Sequence, residues 1–176
     1  MNRKELALTS ILSAAAVVLE ILPLRVPFPL LSYLTFDFAE IPVFFLLFYA
    51  GPASAAISSF ALFIALMGLG SFVPIGPLFK LIALLSAICG AWPLARRSPI
   101  ASAVTSAALR TLIMTAANYA LIELLMPGFL AYAPRFIGLS PLSSVLLLTA
   151  AFNVIQNSYS FAIGYLLYSR IRRARL

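Results

Sequence analysis

Apolar stretches recur along the whole length of this chain, and they constrain its fold more than any other feature. Six can be marked, at about 6–24, 41–50, 53–69, 75–94, 100–125 and 142–169. Apolar residues make up 63% of the chain and charged residues 10%, which leaves too little polar surface for a soluble domain. The class that fits is an all-α integral membrane protein, with residues 1–176 forming one bundle of six transmembrane helices. The runs do not alternate as the strands of a transmembrane barrel do. The second run is too short to cross upright, because a bilayer core calls for roughly 20 residues.

Charge predicts the orientation. An even number of helices puts both termini on one side. That side collects Arg3, Lys4, Arg96, Arg97, Arg170, Arg172, Arg173 and Arg175, while the other collects Arg25 and Arg135. By the positive-inside rule both termini are cytoplasmic, in the cell membrane. The net charge of +7 sits at helix ends, so it reads as topology signal and contact with anionic lipid rather than nucleic-acid binding. The basic start followed by a long apolar run reads as a retained first helix, not a cleaved leader. The segments 23–40 and 126–141 are then external loops.

Histidine is absent, which removes the commonest acid–base catalyst and metal ligand. The single cysteine, Cys89, has no internal partner for a disulfide and is expected to pack as a small hydrophobe. Neither a catalytic set nor a metal-ligand cluster stands out, and the reading is a non-enzyme.

Charges and amides inside the apolar runs carry the functional signal, since they are costly in a membrane and usually face the bundle interior or a wet cavity. Glu20 and Lys80 lie at similar depths, which suggests a pair; the alternative for Lys80 is to snorkel to the interface. Arg110 lies near mid-depth and needs partners, either carbonyls of a broken helix or a carboxylate. Asn118 is two turns further on. Asn153, Gln156, Asn157 and Ser160 fall at helical spacing and form one polar stripe. Such a stripe serves helix packing or a ligand, and three amides exceed what one helix contact needs. Ser10 and Ala14 make a small-xxx-small pattern on the first helix, which lets another helix approach closely.

The segment Tyr33 to Pro52, YLTFDFAEIPVFFLLFYAGP, concentrates two of the five acids. Asp37 and Glu40 stand just before a short apolar helix, where Pro42 suits a first turn and acids favour the helix N-terminus. An acid–base pair of an intramembrane enzyme is one reading of these carboxylates; a lid above a ligand is the other.

The ordered motifs FDFAEIPVFFLLFYAGP, Arg110-Thr-Leu-Ile-Met-Thr-Ala-Ala-Asn-Tyr119 and Phe152-Asn153-Val-Ile-Gln156 resemble those of the substrate-binding S components of energy-coupling factor (ECF) vitamin transporters, riboflavin-type family. The resemblance covers nearly the whole chain. It implies a high-affinity vitamin-binding subunit without enzymatic activity and without a cofactor, with riboflavin as the transported ligand. The implied partners are a transmembrane coupling subunit and two ATPase subunits, reached through Ser10 and Ala14. The implied ligand residues are Asn118 and Asn153 at the polar ring edge or chain, with Tyr33, Thr35 and Asp37 closing over it. The stripe and the outer half of the bundle add Lys80, Gln156 and Asn157 to the expected site.

The chain departs from the family pattern at Gln156, where lysine is frequent, and at Gly76-Pro77-Leu78-Phe79-Lys80, where many members carry an acid. The third helix also lacks the usual lysine–asparagine pair. Loss of an acid and gain of Lys80 point to an alternative, an S component for a different, anionic vitamin. A further alternative is a membrane scaffold subunit that binds no ligand.

Overall fold

A computed structural model describes residues 2–70, 72–131 and 138–174. Arg135 and Arg175, two of the charges used above for orientation, lie outside the described residues. Helix α1 (Arg3–Ile21) opens with a capping box, in which Asn2 and Glu5 satisfy each other's backbone N–H groups. Strands β1 (Val26–Phe28) and β2 (Leu31–Phe36) follow, then α2 (Glu40–Tyr49), α3 (Pro52–Leu69) and α4 (Ile75–Ala91). Helix α5 (Pro99–Ala120) runs on into a π-helical turn, Leu121–Leu125, and a 3-10 turn at Pro127–Ala131. Helix α6 (Pro141–Arg173) ends the described chain. Three helical stretches among the described residues are long and apolar enough to cross a membrane: Pro52–Leu69, Ile75–Leu94 and Pro99–Leu125.

Residues 23–40, expected as an irregular loop, instead carry an antiparallel hairpin in an otherwise α-helical fold. Val26 pairs with Phe36 and Pro27 with Thr35, and the register shifts between Pro27 and Phe28. The hairpin is held by aromatic contact with α6. Phe36 stacks on Phe152 at 4.8 Å between ring centroids, and Phe28 lies 5.9 Å from the same ring.

Helix α2 is the hub. It packs on α1, α3 and α6, while α3, α4, α5 and α6 pack in sequence order. Val43, Phe44, Leu46 and Leu47 are fully buried, and the Phe44 and Phe48 rings meet Phe161 of α6 at 5.5 and 5.1 Å. Burial on this scale makes α2 a core element despite its ten residues. Its end is fixed by Gly51, whose φ of 95° is open to glycine at little cost, and Pro52 then starts α3. Close approach of α6 to α2 depends on Gly164, where a Cβ would stand 2.8 Å from Phe44 Cβ and 3.1 Å from Ile41 O.

Helices α4 and α5 are joined by a ladder of hydroxyls. Ser102, Thr105 and Ser106 donate to the carbonyls of Ala91, Gly90 and Ala87 at 2.8, 2.7 and 3.0 Å. Small residues allow this backbone approach, as is common between membrane helices. Cys89 faces the exposed side of α4 instead of packing in the core.

Candidate binding site

A cavity of about 660 Å³ opens between the hairpin and one end of α1, α2, α4, α5 and α6. Its floor is polar and charged. Glu40, in the first turn of α2, is placed there by the helix start that Pro42 and the preceding Asp37 favour. Arg110, on α5, grips the Glu40 carboxylate with two hydrogen bonds of 2.5 and 2.9 Å. Its Nε donates to Asn153 Oδ1 at 3.0 Å. The pair is almost wholly buried, with side-chain exposures of 3% and 2%, and the bidentate geometry answers the need of a buried charge for full pairing.

A second cluster spans α1, α4 and the segment before α2. Lys80 Nζ donates to Asp37 Oδ2 at 2.6 Å and also to Glu20 Oε2. Arg25 reaches the other Glu20 oxygen at 3.1 Å. Lys80 therefore turns inward to two carboxylates and does not snorkel. Asp37 is held from several directions. Its Oδ1 accepts from Ala39 N–H at 2.9 Å, and its backbone oxygen accepts from Tyr159 at 2.5 Å and from Gln156 Nε2 at 3.1 Å. The two carboxylates near α2 are thus engaged by different cations.

Seven of the residues expected at a ligand site line this cavity: Tyr33, Thr35, Asp37, Lys80, Asn118, Asn153 and Gln156. Asn118 Nδ2 donates to Met114 O at 2.7 Å, and Asn153 Nδ2 to Thr149 O at 2.9 Å. Asn157 is different. It is fully buried away from the cavity lining, and its side-chain amide lies 3.1 Å from the Ser106 hydroxyl, so it joins α6 to α5. The polar stripe therefore divides by angle around α6: Asn153 and Gln156 face the cavity, while Asn157 faces a helix.

The walls are apolar and aromatic, with Phe72, Phe79, Met114, Ile122, Phe129 and Phe152 among them. Tyr33 on β2 stands over the opening, half exposed, edge-on to Phe129 at 5.6 Å. Burial raises its phenol above the ordinary tyrosine pKa, and the nearby Thr149 hydroxyl acts in the opposite sense. Thr149 was not among the expected residues, yet it lines the cavity. Its Oγ1 is buried, close to the Tyr33 phenol. A cavity with aromatic walls, a few fixed polar atoms and a buried hydroxyl is suited to a flat, polar-edged small molecule. Ser10 and Ala14 lie elsewhere, exposed on the outer face of α1.

No family model matches the chain, and no curated protein matches it. The fold is nevertheless similar to that of a solved structure, the S component of a bacterial ECF transporter. That structure superposes with a TM-score of 0.74, covering 98% of each chain at 23% sequence identity. The likeness is one of fold over the full length of both chains.

Proposed function

We propose that this chain is the substrate-binding S component of an ECF importer and that its ligand is riboflavin or a related flavin. The observation that carries the reading is the cavity itself: about 660 Å³, aromatic-walled, roofed by a hairpin and floored by fixed polar groups, in a fold similar to an S component. The protein sits in the cell membrane with both termini cytoplasmic, takes its ligand from outside and acts as a transport subunit, not an enzyme. Delivery requires association with a transmembrane coupling subunit and two ATPases. The exposed face of α1 bearing Ser10 and Ala14 is the proposed docking surface, since small residues there admit a close helix partner.

An isoalloxazine ring matches the site in kind. Its faces suit Phe72, Phe79 and Phe152, and its polar edge suits Asn118, Asn153 and Thr149. The test is titration of the purified protein with riboflavin, read by quenching of flavin fluorescence. Saturable quenching at submicromolar concentration is expected; its absence with every flavin tried ends the flavin assignment. Co-purification with the coupling subunit and ATPases tests the partner assignment separately.

A further inference from the structure

Taken from the sequence, Lys80 looks like a counter-ion for an acidic ligand. The geometry points the other way. Lys80 is already matched by Glu20 and by Asp37, the latter at 2.6 Å. Arg110 is matched by Glu40 and also spends its Nε on Asn153. Three carboxylates and two cations line the cavity. A further cation, Arg25, is about one-third exposed and is itself turned to Glu20.

We propose that Glu20 and Asp37 form a charge filter: by holding Lys80 between them they make the cavity accept an uncharged ligand and reject its phosphorylated or carboxylated counterparts. Among the described residues that line the cavity, an entering anion finds no unpaired cation. To reach Lys80 or Arg110 it must displace a carboxylate that is itself buried, leaving two like charges in a space of low dielectric. An uncharged aromatic ligand has no such conflict. It meets apolar walls and takes hydrogen bonds from groups such as Thr149 that leave the ion pairs intact. Specificity then rests on repulsion as much as on attraction. Glu20 gains a role here that its place on α1, away from the motif-bearing segments, does not suggest.

The inference rests on the cavity being the ligand site. The experiment uses the purified full chain and matched ligand pairs that differ by an anionic group: riboflavin with its 5′-phosphate, and nicotinamide with nicotinate. Dissociation constants come from fluorescence quenching for the flavins and from ligand-induced thermal shift for the others. The neutral member of any pair that binds is expected to be favoured by about 100-fold or more. Glu20→Gln and Asp37→Asn should each narrow that ratio by about tenfold, because either removes one of the two negative charges that an entering anion meets at Lys80. An anionic member that binds the unmodified protein as tightly as its neutral partner overturns the filter, whether or not the variants fold. Failure of riboflavin together with binding of nicotinamide removes the flavin assignment and leaves the filter standing. Failure of all four compounds overturns both.

Discussion

Arg110 and Glu40, 70 residues apart in the chain, face each other across the floor of the cavity through paired hydrogen bonds of 2.5 and 2.9 Å. The contact ties α5 to the first turn of α2, the helix on which α1, α3 and α6 all pack. Its energetic meaning lies in the asymmetry of buried ion pairs. Together the two charges roughly offset their desolvation; alone, either is costly.

Arg110→Met or Glu40→Gln is therefore expected to destabilise the protein by about 3–5 kcal/mol. The double variant Arg110→Met with Glu40→Leu should recover most of that loss. Thermal unfolding in detergent measures all three. Additive losses in the double variant count against the pairing.

The Lys80 cluster predicts an unequal pair of effects. Lys80→Met strands Asp37 and leaves Glu20 with Arg25 alone, whereas Glu20→Gln leaves Lys80 still bonded to Asp37. The lysine variant should lose about 3–5 kcal/mol and the glutamate variant about 1–2 kcal/mol. Equal losses in denaturation curves would mean that Asp37 contributes nothing to holding Lys80.

Gly164 offers a test of packing. A methyl group there meets Phe44 Cβ at 2.8 Å and the α2 backbone at 3.1 Å. Neither neighbour can turn aside, because one is a Cβ and the other is main chain. Gly164→Ala should cost about 1–3 kcal/mol and Gly164→Val more. An unchanged unfolding midpoint contradicts the close α2–α6 approach.

Ligand affinity should depend on the cavity-facing amides and not on the helix-facing one. Asn118→Ala and Asn153→Ala are expected to weaken flavin binding about tenfold each, the worth of one hydrogen bond of about 1.4 kcal/mol. Asn157→Ala should lower stability while leaving the dissociation constant within about twofold. Equal loss of affinity in all three variants, measured by fluorescence titration, assigns the whole stripe to the ligand.

Helix positions were legible because apolar runs and their Gly and Pro boundaries are local signals. Gly51 and Pro52 separate α2 from α3, between the apolar runs 41–50 and 53–69. Matched depth was enough to suggest Glu20 for Lys80. The hairpin was hidden because Pro27 and Pro29 interrupt the alternation that marks a strand, and its pairing is completed by Phe152, far along the chain. Arg110 demanded a partner on physical grounds, but nothing local chose Glu40 over carbonyl groups. Asn157 could not be separated from Asn153 and Gln156 because neighbouring stripe positions differ only by their angle around the helix. The hydroxyl ladder of Ser102, Thr105 and Ser106 looks like ordinary small-residue content until α4 is seen beside it.

The shortness of α2 shapes how anything can pass this protein. Ten residues rise about 15 Å, half of an apolar bilayer core. The cavity occupies the space before the helix begins, and from Val43 onward the same column is solid side chain. The protein is thus a cup and not a tube. On the proposed function, a ligand resting on Glu40 and Arg110 meets the buried wedge of Phe44, Leu47 and Phe161 along the bundle axis. For the proposed transport role, crossing then requires reorienting or unpacking the cup.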